Sequence, residues 1–157
     1  MQVDETVPDF TLQTDEGQTV SLSTYAGKPV VLFFYPRANT PGCTIEACGF
    51  RDQFQRLIDA GAVVLGISRD TVKAQAKFKE KYELPYTLLA DPDETVCRLF
   101  DVMKEKNMYG KKVWGIERTT FLIGPDQTLI HVFPKVTPEG HAEEVLARLK
   151  EWNKARK

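Results

Sequence analysis

The stretch Val30-Val31-Leu32-Phe33-Phe34-Tyr35-Pro36-Arg37-Ala38-Asn39-Thr40-Pro41-Gly42-Cys43 decides how the rest of the chain is read. Its first six residues are an unbroken run of aliphatic and aromatic side chains. Without polar alternation, such a run suits a strand covered on both faces of a sheet. Pro36 ends the run, and the period then changes: Phe50, Phe54, Leu57 and Ile58 recur at helical spacing until Asp59-Ala60-Gly61. The helix start lies between. Thr40 suits the N-cap, Pro41 the first helical position and Cys43 the third. Cys43 would then sit in the first turn, near unpaired backbone N–H groups and the positive end of the helix dipole. Both favour thiolate over thiol, and the thiolate is the nucleophile.

Upstream, Phe10 and Leu12, then Asp15-Glu16-Gly17, then Val20 and Leu22, alternate about a Gly-containing turn and predict a β-hairpin. Downstream, Ala62 to Ser68 reads as a second buried strand. A helix from about Thr71 to Tyr82 follows, with Ala74, Phe78 and Tyr82 on one face, and then a short strand at Thr87-Leu88-Leu89. Asp91-Pro92-Asp93-Glu94 predicts a helix start with Asp91 as N-cap and Pro92 at the first helical position, leading into an apolar stripe of Val96, Leu99 and Phe100. Met103 to Glu117 shows no period and reads as a solvated loop with a short extended piece at Lys112-Val113. Thr119 to Ile123 and Thr128 to Phe133 predict a second hairpin, and a last helix from near Pro138 carries Ala142, Val145, Leu146, Leu149 and Trp152 on one face. β-α-β units followed by an antiparallel hairpin and a closing helix predict an α/β fold of thioredoxin type. It would have a mixed β-sheet flanked by helices and an added N-terminal β-hairpin. No repeat or low-complexity linker divides residues 1–157, so a single domain is expected.

Composition narrows the function. The chain has 21 basic and 22 acidic residues, a formal net charge of -1, and no basic stripe, which argues against a nucleic-acid partner. Its apolar runs are strand-sized, too short for a membrane span, and Met1 to Phe10 carries Asp4, Glu5 and Pro8 in place of the apolar core of a secretory signal. A cytoplasmic location is expected, where thiols stay reduced and a disulfide is transient and catalytic. The three cysteines, Cys43, Cys48 and Cys97, cannot all pair within the chain. His131 and His141 are too few and too scattered for a zinc site, so neither metal nor cofactor is expected.

Pro36-x-x-x-Thr40-x-x-Cys43 matches the active-site pattern of the peroxiredoxins. The longer stretch Thr40-Pro41-Gly42-Cys43-Thr44-Ile45-Glu46-Ala47-Cys48 resembles their peroxiredoxin Q branch, also called bacterioferritin comigratory protein. The likeness continues in Gly66-Ile67-Ser68-Arg69-Asp70, Leu89-Ala90-Asp91-Pro92-Asp93, Gly115-Ile116-Glu117-Arg118-Thr119-Thr120-Phe121-Leu122-Ile123 and Pro138-Glu139-Gly140-His141-Ala142, in order along nearly the whole chain. The resemblance implies a thiol-dependent peroxidase in which Cys43 attacks a hydroperoxide. It implies that the Thr40 hydroxyl contacts peroxide and thiolate, and that Arg118 lowers the thiol pKa and polarises the substrate oxygens. It further implies that Glu46 orients the arginine and that Pro36 shields the pocket. The duller readings in sequence are Thr40 as an N-cap only, Arg118 as a surface ion-pair partner of Glu117, and Glu46 as an exposed first-turn glutamate.

Attack would leave Cys43 as a sulfenic acid, which a second thiol must capture before further oxidation. Cys48 lies five residues on. An ideal helix sets those Cα atoms roughly 8–9 Å apart, whereas a disulfide needs about 4.4–6.8 Å, so pairing requires the helix to unwind locally. Resemblance to peroxiredoxin Q implies that Cys48 resolves, that thioredoxin is the reductant, with glutaredoxin or a glutathione-linked route as the other reading, and that the protein is a monomer. Cys97, beside the apolar Val96, reads as a core residue, with a rescue thiol as the other reading, and Trp114 reads as either a lid or core packing. The rival functions are a thiol–disulfide oxidoreductase or redox chaperone on the same fold, although Cys43 and Cys48 are spaced C-x-x-x-x-C and not C-x-x-C, and a non-enzymatic binding module.

Overall fold

The computed structural model describes residues 1–156, without the side chain of Met108. In chain order the elements begin with β1 (Thr11–Thr14), β2 (Thr19–Ser21), a 3-10 turn at Leu22–Tyr25, β3 (Val30–Phe34), α1 (Pro41–Asp52) and α2 (Phe54–Asp59). They continue through β4 (Val63–Ser68), α3 (Val72–Tyr82), β5 (Thr87–Ala90) and α4 (Thr95–Leu99). The last are β6 (Met103–Met108), β7 (Lys111–Ile116), β8 (Thr119–Ile123), β9 (Leu129–Phe133) and α5 (His141–Ala155).

Seven strands form one mixed sheet in the order β2-β1-β5-β4-β3-β8-β9, with β3, β4 and β5 parallel and the remaining pairs antiparallel. β3 lies between β4 and β8 and is buried at every position, as its unbroken apolar run predicts. Its residues divide between the faces with period two. Val31, Phe33 and then Tyr35 pack with Cys43, Ala47 and Phe50 of α1, Leu57 of α2, Phe78 of α3 and Val145 and Leu149 of α5. Val30, Leu32 and Phe34 pack on the other face with Leu22, Val96, Cys97, Phe100, Met103 and Ile116.

Gly66 shows how closely the first face is fitted. It is paired between Phe33 and Leu88, and a Cβ there would lie 2.8 Å from Phe33 Cζ and 2.9 Å from Leu88 Cδ2. The space it leaves holds the Phe33 ring, which stacks on Phe50 of α1 at 4.5 Å. Gly66→Ala is expected to destabilise the protein by about 1–3 kcal/mol through overpacking, read as a lower urea midpoint with unchanged slope. An unchanged midpoint would show that this face can relax.

Several sequence expectations are corrected. The predicted helix to Asp59 is two helices, broken at Gln53 (φ -97, ψ 4), and Ile58 faces solvent at 43 % exposure. The helix expected at Asp91-Pro92 begins at Thr95. Asp91 O instead accepts from Glu94 N–H at 3.0 Å to close a turn, and Asp91 Oδ2 reaches ahead to accept from Cys97 N–H at 2.8 Å. Leu99 of the expected apolar stripe is exposed. α5 starts at His141, three residues beyond Pro138, behind Gly140 at φ 77. The expected loop Met103–Glu117 is the two-stranded hairpin β6–β7, turned at Tyr109 (φ 53) and Gly110 (φ 79). A two-residue turn with both φ positive matches the twist of paired strands. Among the described residues of this hairpin only Met103 and Ile116, at its base, reach the core, so its charged strands carry no apolar alternation to be read. Among the described residues no helix is long and apolar enough to cross a membrane.

Candidate active site

Cys43 sits where the sequence predicts, in the first turn of α1 behind an extended Thr40 (φ -95, ψ 156) and with Pro41 opening the helix. The thiol is free and only 1 % exposed, wedged in the core face between α1 and the sheet. Arg118 comes to it from the opposite direction in sequence. The link Glu117–Arg118 between β7 and β8 is fixed at both residues: Glu117 N–H donates to Val102 O at 2.7 Å and Arg118 O accepts from Val136 N–H at 2.9 Å. The guanidinium is thereby aimed back at the start of α1.

One nitrogen of that guanidinium does two things. Arg118 Nη1 lies 3.4 Å from Cys43 Sγ and donates to Glu46 Oε1 at 2.8 Å. Glu46, three residues after Cys43 and so on the same helix face, is a buried carboxyl whose second oxygen, Oε2, has no partner among the described residues. Burial, only partly offset by the Arg118 charge and hydrogen bond, raises the Glu46 pKa to about 7. For Arg118, burial works against the charge, but the charges of Glu46 and Cys43 more than offset it and its pKa is raised. The alternative sequence readings of these two residues, a surface glutamate and an arginine paired with Glu117, do not match this arrangement.

Thr40 is the N-cap by position but makes no cap hydrogen bond. Its Oγ1 turns back and donates to Arg37 O at 2.8 Å. The hydroxyl hydrogen is thus engaged, and the oxygen lone pairs remain able to accept. Pro36 is half-buried at the end of the strand run, and Arg37 is exposed.

Two contributors were not legible as such. Gly42 reads in sequence as a helix-weakening residue, yet a Cβ there would lie 3.0 Å from Arg118 Nη2, so its missing side chain is the space the guanidinium occupies. The signal was the glycine immediately before Cys43. His141 is buried at the start of α5, its Nε2 2.7 Å from Thr120 Oγ1 and its ring edge-on to Phe50 at 5.7 Å. Burial first, and then the Arg118 charge, lower its pKa to about 4, so it is neutral at pH 7. Among the described residues no group of three or more His, Cys, Asp or Glu could hold a metal ion.

The other two cysteines are separated by the sheet. Cys48 is half-buried on the same continuous helix as Cys43. Cys97 is fully buried in the core of the opposite face, where burial, with Asp91 beside it, pushes its thiol pKa well up. Trp114 is 49 % exposed on β7 with the Arg98 guanidinium 5.8 Å over its ring, so it is not part of the core.

A thiol at a helix start on a thioredoxin-like fold, with a guanidinium beside the sulfur, is the constellation of a thiol-dependent peroxidase. The chain belongs to the AhpC/TSA family, which it matches over residues 3–132, and to the peroxiredoxin Q, or bacterioferritin comigratory protein, branch of the peroxiredoxins. It is 56% identical to a putative peroxiredoxin Bcp of Coxiella burnetii over 95% of this chain and 99% of that protein. It is 44% identical to peroxiredoxin Bcp of Bacillus subtilis over 98% of each. Among solved structures, peroxiredoxin Q of Xylella fastidiosa superposes with a TM-score of 0.91 at 39% identity over 96% of both chains. The bacterioferritin comigratory protein of Xanthomonas campestris, described for its alkyl peroxide reduction activity, gives 0.87 at 44% identity over 92% of both. The protein is a peroxiredoxin, an enzyme that takes a hydroperoxide as substrate and a thiol as reductant.

Proposed function

We propose that Cys43 is the thiol that reacts with hydrogen peroxide and organic hydroperoxides, and that Cys48 resolves it. The observation that carries this reading is the single nitrogen Arg118 Nη1 shared between Cys43 Sγ and Glu46 Oε1 at the start of α1. The Cys43 thiolate attacks one peroxide oxygen, forming an S–O bond as the O–O bond breaks. The electron pair of that bond goes to the leaving oxygen, which takes up a proton and departs as water or alcohol. Arg118 offsets the negative charge that develops along the O–O axis. With its hydrogen given to Arg37 O, the Thr40 hydroxyl can accept the peroxide O–H, and Pro36 keeps bulk water away from the sulfur. Glu46 acts on the substrate only through Arg118, as a positioning residue.

The sulfenic acid on Cys43 condenses with the Cys48 thiol, releasing water and forming a disulfide. An intact α1 keeps the two Cα atoms roughly 8–9 Å apart, beyond disulfide reach, so α1 opens. The bonds that then break include Arg118 to Glu46 and the Tyr86 hydroxyl to Ala47 O at 2.7 Å. A dithiol reductant, which we assign by family similarity to thioredoxin, restores both thiols. The reading has the whole chain, residues 1–157, working as one domain and one monomer in the cytoplasm, and it extends to this protein the alkyl peroxide reduction for which the Xanthomonas relative is described.

The test is intact-mass analysis of the reduced protein after one equivalent of peroxide, followed by peptide mapping. Loss of two hydrogens, with a cross-link inside the peptide that spans Cys43 and Cys48, is expected. Peroxide left unconsumed while the protein exchanges disulfides with a model substrate would overturn the reading in favour of an oxidoreductase or redox chaperone.

A further inference from the structure

We infer that Asp70 is a positioning residue for peroxide reduction, holding the loop that carries Pro36 and Thr40 over Cys43. The inference rests on the reading of Cys43 given above. Asp70 follows β4 and is far from the Cys43 segment in sequence. Its Oδ2 nevertheless accepts from Ala38 N–H at 2.7 Å and from Ser68 Oγ–H at 2.6 Å. Ala38 lies midway between Pro36 and Thr40, so this bond sets the loop at its centre.

The pin has a rigid base. Ser68 Oγ, spent as a donor on Asp70, accepts from Gln75 Nε2 at 3.0 Å, and the same Nε2 donates to Leu89 O at 2.7 Å. Gln75 Oε1 takes the Tyr35 hydroxyl. Ser68, Gln75 and Tyr35 are all fully buried, and each polar atom of this chain has a partner. β4, β5, α3 and the end of β3 therefore all bear on one carboxylate oxygen. A fully satisfied buried network of this kind is stiff, because breaking any link leaves a buried group unpaired. A second, outer tie holds the next residue: Asn39, at φ 61, accepts at Oδ1 from the Tyr82 hydroxyl at 3.1 Å and from Lys81 Nζ at 3.3 Å.

The site thus divides into two halves. α1, with both thiols, must open for the disulfide to form. The loop 36–40, with the hydroxyl and the proline that face the peroxide, is tied to β4 and α3 through Ala38 and Asn39, so these ties can hold it when α1 gives up its first-turn bond from Thr44 N–H to Thr40 O at 2.9 Å. A hydroperoxide has few atoms by which to be oriented, and a misplacement of about 1 Å can cost about 100-fold in rate. The Asp70 pin is what keeps Thr40 Oγ1 in register with Cys43.

Asp70→Ala, Asp70→Asn and Ser68→Ala are to be compared with wild type for peroxide kcat and KM, for alkylation of Cys43 by iodoacetamide, and for thermal stability. Asp70→Ala is expected to raise the peroxide KM and lower kcat/KM by about 10-fold. Alkylation, which needs no oriented peroxide, and Cys43–Cys48 closure should stay near wild type. Asp70→Asn keeps an acceptor for Ala38 N–H and is expected to recover most of the loss. A folded Asp70→Ala with wild-type kcat/KM overturns the inference, as does an Asp70→Asn no better than Asp70→Ala. If Asp70→Ala does not fold, Ser68→Ala decides: a rise of about 3-fold in KM supports the pin, and an unchanged KM overturns it. A wild type that fails to react with peroxide at Cys43 would instead overturn the functional reading itself.

Discussion

Replacing Arg118 with alanine is expected to slow the reaction of reduced protein with hydrogen peroxide by two to three orders of magnitude, about the loss seen when one preorganised donor is taken from an anionic transition state. Three effects act together. The sulfur loses the cation 3.4 Å away, the leaving oxygen loses its donor, and Glu46 loses its hydrogen-bond partner while staying buried. Arg118→Lys should restore only part of the rate. An ammonium is a point charge, whereas the planar guanidinium spreads its charge over a rigid fork of donors spanning sulfur, carboxylate and substrate. Stopped-flow measurement of the single-turnover rate on pre-reduced protein separates this step from resolution. A rate for Arg118→Ala within about 10-fold of wild type would remove Arg118 from the chemistry.

Cys48→Ser is expected to leave the first peroxide reaction intact and to reduce reductant-coupled turnover by about 100-fold or more, since the oxidised sulfur then has no resolving thiol on its own helix. Mass analysis should show one added oxygen on Cys43 after one equivalent of peroxide, and sulfinic acid when peroxide is in excess. An internal disulfide in this variant would identify Cys97 as the partner. Cys97 lies in the core of the opposite sheet face, so such a bond would require far more than the opening of α1.

That opening should also depend on pH through Glu46. Its pKa is about 7 in the closed helix against an ordinary 4.5, so closure favours the protonated form. The stabilisation this group lends to the closed state is complete below pH 4.5 and is lost as pH rises through 7. Disulfide closure after sulfenic acid formation should therefore quicken over that window. The acceleration must exceed that of Glu46→Gln, which has no ionisable group at this position. Equal pH profiles in the two proteins would disconnect Glu46 from the opening.

How much of this was visible in the chain can be judged from particular residues. β3 was legible because every position is apolar, and a strand covered on both faces needs nothing else. The hairpin β6–β7 was not, because among its described residues only Met103, Gly115 and Ile116 are buried and its charged strands hold together by backbone pairing, which leaves no side-chain period. The start of α4 was misplaced because Asp91-Pro92-Asp93-Glu94 satisfies the local rules for a helix start, yet Asp91 spends its carboxylate on Cys97 N–H six residues on.

For the site, the chain alone determined the position of Cys43, since Thr40, Pro41 and the apolar residues beyond them define a helix start by local preference. It also determined the spacing that puts Glu46 on the face of Cys43 and makes a Cys43–Cys48 bond incompatible with a closed helix. Only the tertiary structure decided that Glu46 is buried, that one nitrogen of Arg118 serves both partners, that Gly42 is the clearance for that guanidinium and that Asp70 holds Ala38. These are contacts across dozens of residues, set by how β4, β8 and α1 meet around β3. Local preference reaches only as far as the next turn of chain.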